Sequence, residues 1–124
     1  MVTANVGSPH LPDDLQGDFL IAGYFARNIA RLRPSVDGAG HKLKTLAPLL
    51  TSTHSAFRPV DLNVGPDGAI YVADWFNPII GHYQASFRHP DRDKKRGRIW
   101  RISARGRPLN RPPALAGMGA AELC

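Results

Sequence analysis

An all-β fold of short antiparallel strands is predicted, and three features of the sequence predict it. Glycine (12) and proline (11) are both plentiful for 124 residues, which favours many short elements joined by turns over long helices. Ala69-Ile70-Tyr71-Val72-Ala73-Asp74-Trp75 is a β-branched and aromatic run. It follows the turn Val64-Gly65-Pro66-Asp67-Gly68, where Pro66 presets φ and Gly68 can take positive φ. Gly97-Arg98-Ile99-Trp100-Arg101-Ile102 alternates basic and apolar residues, the pattern of a strand with one wet and one dry face. A polar loop, roughly Asn77 to Arg96, separates these two runs and is longer than most loops in compact domains.

Taken in order, residues 1–10 carry little pattern and read as a loose end or a start in mid-structure. His10 to Gly17 resembles a turn leading into the strand Asp18–Tyr24, with Asn28–Arg33 as its hairpin partner. Pro34 to Gly40 has turn chemistry centred on Asp37-Gly38. His41 to Leu50 forms a further strand, and Pro48 confines its second half to a sheet edge. After Gly106 the pattern gives way to a proline-rich linker, Arg107 to Pro113, and Ala114 to Cys124 could open a helix.

The chain repeats itself. Gly17-Asp18-Phe19-Leu20-Ile21-Ala22-Gly23-Tyr24-Phe25 aligns without a gap on Gly68-Ala69-Ile70-Tyr71-Val72-Ala73-Asp74-Trp75-Phe76. A Pro-Asp turn precedes each copy, Pro12-Asp13 or Pro66-Asp67, and an alternating strand follows, Ile29–Arg33 or Ile99–Ile102. The copies span about 11–50 and 58–106. A period of about 50 residues built from short antiparallel strands is the signature of β-propeller blades. On this count residues 1–107 hold three strands of one blade and three of the next, with the long loop inserted in the second copy, and 108–124 follow as linker. Two partial blades cannot close a ring, so the chain is expected to be a fragment of a longer propeller.

Composition narrows the function classes. A hydrophobic fraction of 43% with 21% charged residues is that of a globular chain. No stretch of about 18 apolar residues is present to span a membrane, and the first residues lack the basic-then-apolar order of a signal peptide. One cysteine, Cys124, leaves no internal disulfide and no Cys-x-x-Cys-His haem attachment within these residues. A formal charge of +6 raises nucleic acid as a partner. The basic residues are spread over alternating strand positions and the tail, however, so none is expected; a cleft that attracts anionic substrates is the other consequence of the charge. His10, His41 and His54 are isolated and give no zinc spacing. Gly-x-Gly-x-x-Gly, P-loop and Gly-x-Ser-x-Gly patterns are absent.

The stretch LLTSTHSAFRPVDLNVGPDGAIYVADWFNPIIGHYQASFRHPDRDKKRGRIWRI, followed by Arg105-Gly106-Arg107-Pro108 and Pro112-Pro113, resembles a known group. The group is the putative membrane-bound dehydrogenases found with PVC-type haem-binding proteins, and HLPDDLQGDFLIAGYFARNIARL upstream fits the same pattern. The resemblance runs from His10 to Pro113, and its long middle motif is specific; the Asp-Gly-x-Ile-Tyr-Val-Ala-Asp core alone is shared with NHL-type propellers. It implies a six-bladed propeller related to quinoprotein glucose/sorbosone dehydrogenases, followed by helical repeats and a cytochrome c domain. It further implies a cell-envelope or periplasmic oxidoreductase of a sugar or alcohol that passes electrons to haem on that missing domain. By the same analogy the cofactors are pyrroloquinoline quinone (PQQ) and calcium. The rival reading is a non-catalytic propeller that serves as a binding or interaction platform.

Within the dehydrogenase reading the loop from Asp74 to Arg96 borders the site. His82 is the candidate general base toward an alcohol, because an imidazole suits proton abstraction near neutrality. Asp74 and Asn77 are candidate calcium ligands through their oxygens, set against their common use as turn caps. Arg88 and Arg92 are candidates to grip an anionic quinone or acid with a guanidinium fork. Against that stands a loop in which Arg88, His89, Asp91, Arg92 and Asp93 pair with each other. Trp75 and Trp100 are expected in the blade core in preference to a sugar-stacking platform.

Overall fold

The computed structural model describes residues 3–81, 85–112 and 114–119. Among them are seven strands, a single 3-10 turn at Asp13–Leu15 and no α-helix. The fold is all-β, in two antiparallel sheets that follow one another along the chain. Strands β1 (Thr3–Asn5), β2 (Phe19–Gly23), β3 (Asn28–Asp37) and β4 (Gly40–Thr51) form the first sheet in that order. Strands β5 (Pro59–Val64), β6 (Ile70–Asp74) and β7 (Arg98–Ile102) form the second, also in chain order.

The first sheet has one strand more than the three expected. Thr3–Asn5 shows no periodicity because it is three residues long, and it is a strand only through its pairing with Phe19–Ile21. The turn expected from Pro34 to Gly40 is also shorter than anticipated. Pro34, Ser35 and Val36 continue β3 opposite Leu43, Lys42 and His41, and the hairpin turns at Gly38-Ala39. Gly38 has φ +60° and Ala39 keeps negative φ, the pattern of a type II′ hairpin turn. Proline is tolerated at position 34 because β2 pairs only as far as Leu32, so β3 has a single neighbour there. Pro48 falls where the register shifts between Ile29↔Leu50 and Arg31↔Leu46, a bulge in an edge strand.

Alternation sets the core. On β2, Leu20 and Ala22 are buried while Phe19, Ile21 and Gly23 are half-buried. Strand β5 approaches β1 and β2, and Leu62, Ile70 and Val72 close against Val6, Leu11, Leu15, Leu20, Ala22 and Ile29. Each fully buried aliphatic side chain contributes about 1.5–3 kcal/mol. Asp18 lies wholly buried beside this core and accepts hydrogen bonds from Arg31 and from Arg33 (Nε, 2.7 Å) on β3.

The turn ahead of β6 forms as its residues dictate. Gly68 takes φ +83°, its N–H donates to Gly65 O at 2.9 Å, and Asp67 accepts the Ala69 N–H at 3.1 Å. This turn receives residues from both ends of the chain. His10 is buried, its Nε2 accepts the Ala104 N–H at 3.0 Å, and its Nδ1 lies 2.9 Å from Pro108 O. Because Nε2 accepts, the ring proton sits on Nδ1 and is donated to Pro108. Asn110 N donates to Asp67 O at 2.9 Å, and Arg107 pairs with Asp13 at 2.8 Å. The proline-rich stretch therefore begins docked on the N-terminal segment.

Candidate functional site

The second sheet positions the long loop, and Asp74, the last residue of β6, is the anchor. Its side chain is fully buried. Oδ1 accepts the N–H groups of Arg58 (2.8 Å) and Phe76 (2.9 Å). Oδ2 accepts Arg98 Nε (3.0 Å), Arg98 Nη2 (2.9 Å) and Trp100 Nε1 (3.0 Å). Burial alone would raise the Asp74 pKa, but the backbone N–H of Arg58, Trp100, Phe76 and the charge of Arg98 together hold it below the ordinary carboxylate value. Asn77 is buried too, accepts the Ile79 N–H at 3.1 Å and donates to Asp93 O at 3.2 Å. Both residues cap the chain as it leaves β6, and Phe76 between them sits at φ +53°.

These contacts decide how the residues fit a calcium ion. Five N–H donors already fill the lone pairs of Asp74, and Asn77 is buried with its oxygen accepting the Ile79 N–H. The pair does not fit a calcium site. No group of three or more His, Cys, Asp or Glu among the described residues is placed to hold a metal ion.

Arg92 is turned inward on its own loop. Its guanidinium donates to the carbonyls of Ser86 (2.9 Å), Ile79 (3.3 Å) and Ala85 (3.0 Å) and also to Gly81. With those donors engaged, no fork remains for a carboxylate, so Arg92 does not fit a quinone grip. Arg88 is exposed, and its side chain makes no hydrogen bond or ion pair with a described residue. His82 lies outside the described residues. Pairing within the loop is sparse: Arg96 meets Asp93 at 2.6 Å, and His89 Nδ1 stands 3.9 Å from Asp91. Asp93 also accepts the N–H groups of Lys95 and Arg96, which with the Arg96 side chain lower its pKa despite partial desolvation.

Both tryptophans depart from the expected core position. Trp75 is 41% exposed and Trp100 42% exposed. Trp100 lies on the sheet's edge strand with its N–H on Asp74. Trp75 stacks on Tyr24, ring centroids 6.1 Å apart and planes at 16°, so it bridges the end of β6 to the end of β2. Tyr24, Trp75 and Phe87 line a cleft of about 450 Å³ with Asn77, Arg92 and Lys94. Burial raises the Tyr24 phenol pKa against the opposing charges of Arg58 and Arg92.

Arg58 is the residue whose role the sequence did not signal. It is 7% exposed and has no carboxylate partner among the described residues. Its guanidinium reaches the carbonyls of Tyr24, Phe57 and Pro78, each at 3.5 Å, and its buried Nε has no partner. An Arg one residue before Pro59 reads as an ordinary strand start; only the fold shows it behind the Tyr24 ring, 6.0 Å from the centroid.

A family model described as a domain of unknown function (DUF7133) matches residues 3–106. The chain belongs to this family. No curated protein and no solved structure matches it. The DUF7133 span takes in all seven strands, the aromatic cleft and the 75–97 loop, and it reaches Ala104, whose N–H is held by His10. No helix among the described residues is long and apolar enough to cross a membrane.

Proposed function

We propose that the two meanders are neighbouring blades of a β-propeller, and that this DUF7133 domain is part of a quinoprotein-like dehydrogenase acting on a sugar or alcohol. In this reading the domain supplies a wall of the substrate site. The redox centre, PQQ with calcium, is held by other blades, because Asp74, Asn77 and Arg92 are already engaged. The observation that carries the proposal is the stack of the exposed Trp75 on the half-buried Tyr24, in the cleft that Phe87 also lines. A sugar presents a face of C–H groups that lies on such rings, while its hydroxyls find a polar group such as Lys94 on the rim. Haem on a cytochrome c domain of the parent protein, in the periplasm or cell envelope, would supply the electron acceptor.

The test is dye reduction by a protein carrying the remaining blades, with PQQ and calcium supplied. A sugar or alcohol should support turnover, and Trp75→Ala should raise KM on the order of tenfold with a smaller effect on kcat. The isolated chain should be inactive. Absence of any such turnover would sink the dehydrogenase reading. The second reading, a non-catalytic binding module, is favoured by Asp74, whose buried carboxylate is wholly engaged in holding the fold.

A further inference from the structure

A second cleft, of about 510 Å³, lies between the 54–56 turn and the 89–96 segment. His54 and His89, one from each of these segments, both line the cleft and have the same local geometry. The Ala56 N–H donates to His54 Nδ1 at 3.1 Å, and the Asp91 N–H donates to His89 Nδ1 at 3.2 Å. A backbone N–H can only donate, so each Nδ1 is an acceptor and each neutral ring carries its proton on Nε2. Neither Nε2–H has an acceptor among the described residues. Lys94 and Lys95 line the same cleft, and their ammonium groups make no ion pair with a described residue. Four cationic side chains, Arg92, Lys94, Lys95 and Arg96, face two acids, Asp91 and Asp93. Asp93 is neutralised by Arg96 at 2.6 Å, and the Asp91 side chain is 72% exposed. The floor is Phe76, held by the His54 ring at 5.6 Å and by Arg96 and Arg98 at 5.5 and 3.8 Å.

We infer that this cleft is an oxyanion site for a phosphate group, gripped by the Nε2–H donors of His54 and His89 and by the ammonium groups of Lys94 and Lys95. Two uncharged ring donors fixed in direction and two mobile cations suit a compact tetrahedral anion approached from several sides. The group is either free inorganic phosphate or the phosphate of a small phosphomonoester. The site does not rest on the dehydrogenase reading, since it involves no redox step, although Lys94 lies between it and the aromatic cleft and lines both.

The experiment is a titration of the 124-residue chain with inorganic phosphate, read by NMR on the imidazole signals of His54 and His89, and repeated with glycerol phosphate. Saturable shifts of both rings are expected. Lys94→Ala with Lys95→Ala should weaken the apparent affinity on the order of tenfold. Tighter binding of glycerol phosphate would point to a phosphomonoester, and equal binding to free phosphate. His54→Asn and His89→Asn retain an oxygen for the same backbone N–H and remove the ring donor, so each should weaken binding while leaving the β-sheet circular dichroism intact. Shifts that do not saturate overturn the proposal. So does an equal loss on replacing Lys42 and Lys44 of the distant β3–β4 hairpin, because binding would then follow overall charge alone.

Discussion

Arg98 closes over Asp74 from the neighbouring strand, placing Nε and Nη2 at 3.0 and 2.9 Å from one carboxylate oxygen while its guanidinium lies 3.8 Å from the centre of the Phe76 ring. The two residues are also register partners, so the ion pair locks β7 onto β6 at the point where the long loop departs. The loop, the edge strand and the Arg58 backbone all converge on a single carboxylate.

Asp74→Ala leaves that convergence without acceptors. The N–H groups of Arg58 and Phe76, the Trp100 indole and the Arg98 guanidinium all lose their partner. Breaking a buried pair in this way costs about 3–5 kcal/mol, and the part-exposure of Arg98 places the effect near the lower end. Urea unfolding should show that loss, and a change below about 1 kcal/mol would mean that water replaces the carboxylate.

Stability should fall in acid, with the window set by the aspartates. Asp18 and Asp74 would have raised pKa values by burial alone, but Arg33 and Arg31 in the first case, and the donors of Arg58, Trp100 and Phe76 in the second, carry both below the ordinary value. Asp67 is lowered chiefly by its Arg101 hydrogen bond and Asp93 by the Lys95 N–H. A folded pKa below the unfolded one means that the unfolded chain binds more protons in this range, so stability rises with pH there. It is fully present above about pH 5 and is lost as pH drops through the carboxylate range near 3.9 and below. Unfolding free energy measured from neutral pH downward should be flat and then fall, and Asp18→Asn should shrink the fall. A loss that begins near neutrality would assign the effect to histidines instead.

Strands β2 and β6 were legible from their apolar and aromatic runs and from the gapless match of Gly17–Phe25 on Gly68–Phe76, and β3 and β7 from the alternation of polar and apolar residues along them. Strand β1 carries no such signal: Thr-Ala-Asn is extended only because β2 lies beside it. The second sheet also lacks a counterpart of β4, since the chain after Ile102 turns back to His10 instead of forming a hairpin. At the site, the capping of Asp74 and Asn77 was legible as a local habit of these residues. The partners of Arg58, Arg92 and His10 were not. Their contacts join residues up to 98 positions apart, which no local pattern encodes.

The junction of the two chain ends makes Gly68 intolerant. A Cβ there would lie 2.5 Å from Ser8 Oγ and 2.7 Å from both Asn110 Nδ2 and the His10 Cβ, at φ +83°. Gly68→Ala should destabilise by at least about 1–2 kcal/mol from left-handed strain and crowding together. His10→Ala should cost about 1–3 kcal/mol by leaving the Ala104 N–H and Pro108 carbonyl without a partner. Hydrogen exchange at the Ala104 amide would rise in both variants, which separates this junction from a general loss of the sheet.

Arg92 organises its loop through carbonyl contacts that a lysine cannot reproduce, since one ammonium cannot reach the oxygens of Ser86, Ile79, Gly81 and Ala85 at once. Arg92→Lys should therefore leave the unfolding midpoint nearly unchanged while thermolysin cleavage near Phe87 accelerates several-fold. Equal cleavage rates would show that the loop is held by other contacts.

Arg58 presents the opposite case, a buried charge that the fold holds weakly. Three carbonyls at 3.5 Å and an Nε without a partner are poor return for desolvating a guanidinium. Methionine keeps the length of the side chain and removes the charge. Arg58→Met should leave stability unchanged or raise it by about 1 kcal/mol, as happens when buried ionic groups give way to apolar ones. Arg58 also lowers the Tyr24 phenol against the upward push of burial, so the same variant should move the Tyr24 titration to higher pH. A stable protein with that shift, but with ligand binding in the Tyr24–Trp75 cleft lost, would mark Arg58 as retained for binding at the expense of stability. A loss of more than about 2 kcal/mol would instead make it a structural clamp between β2 and the loop.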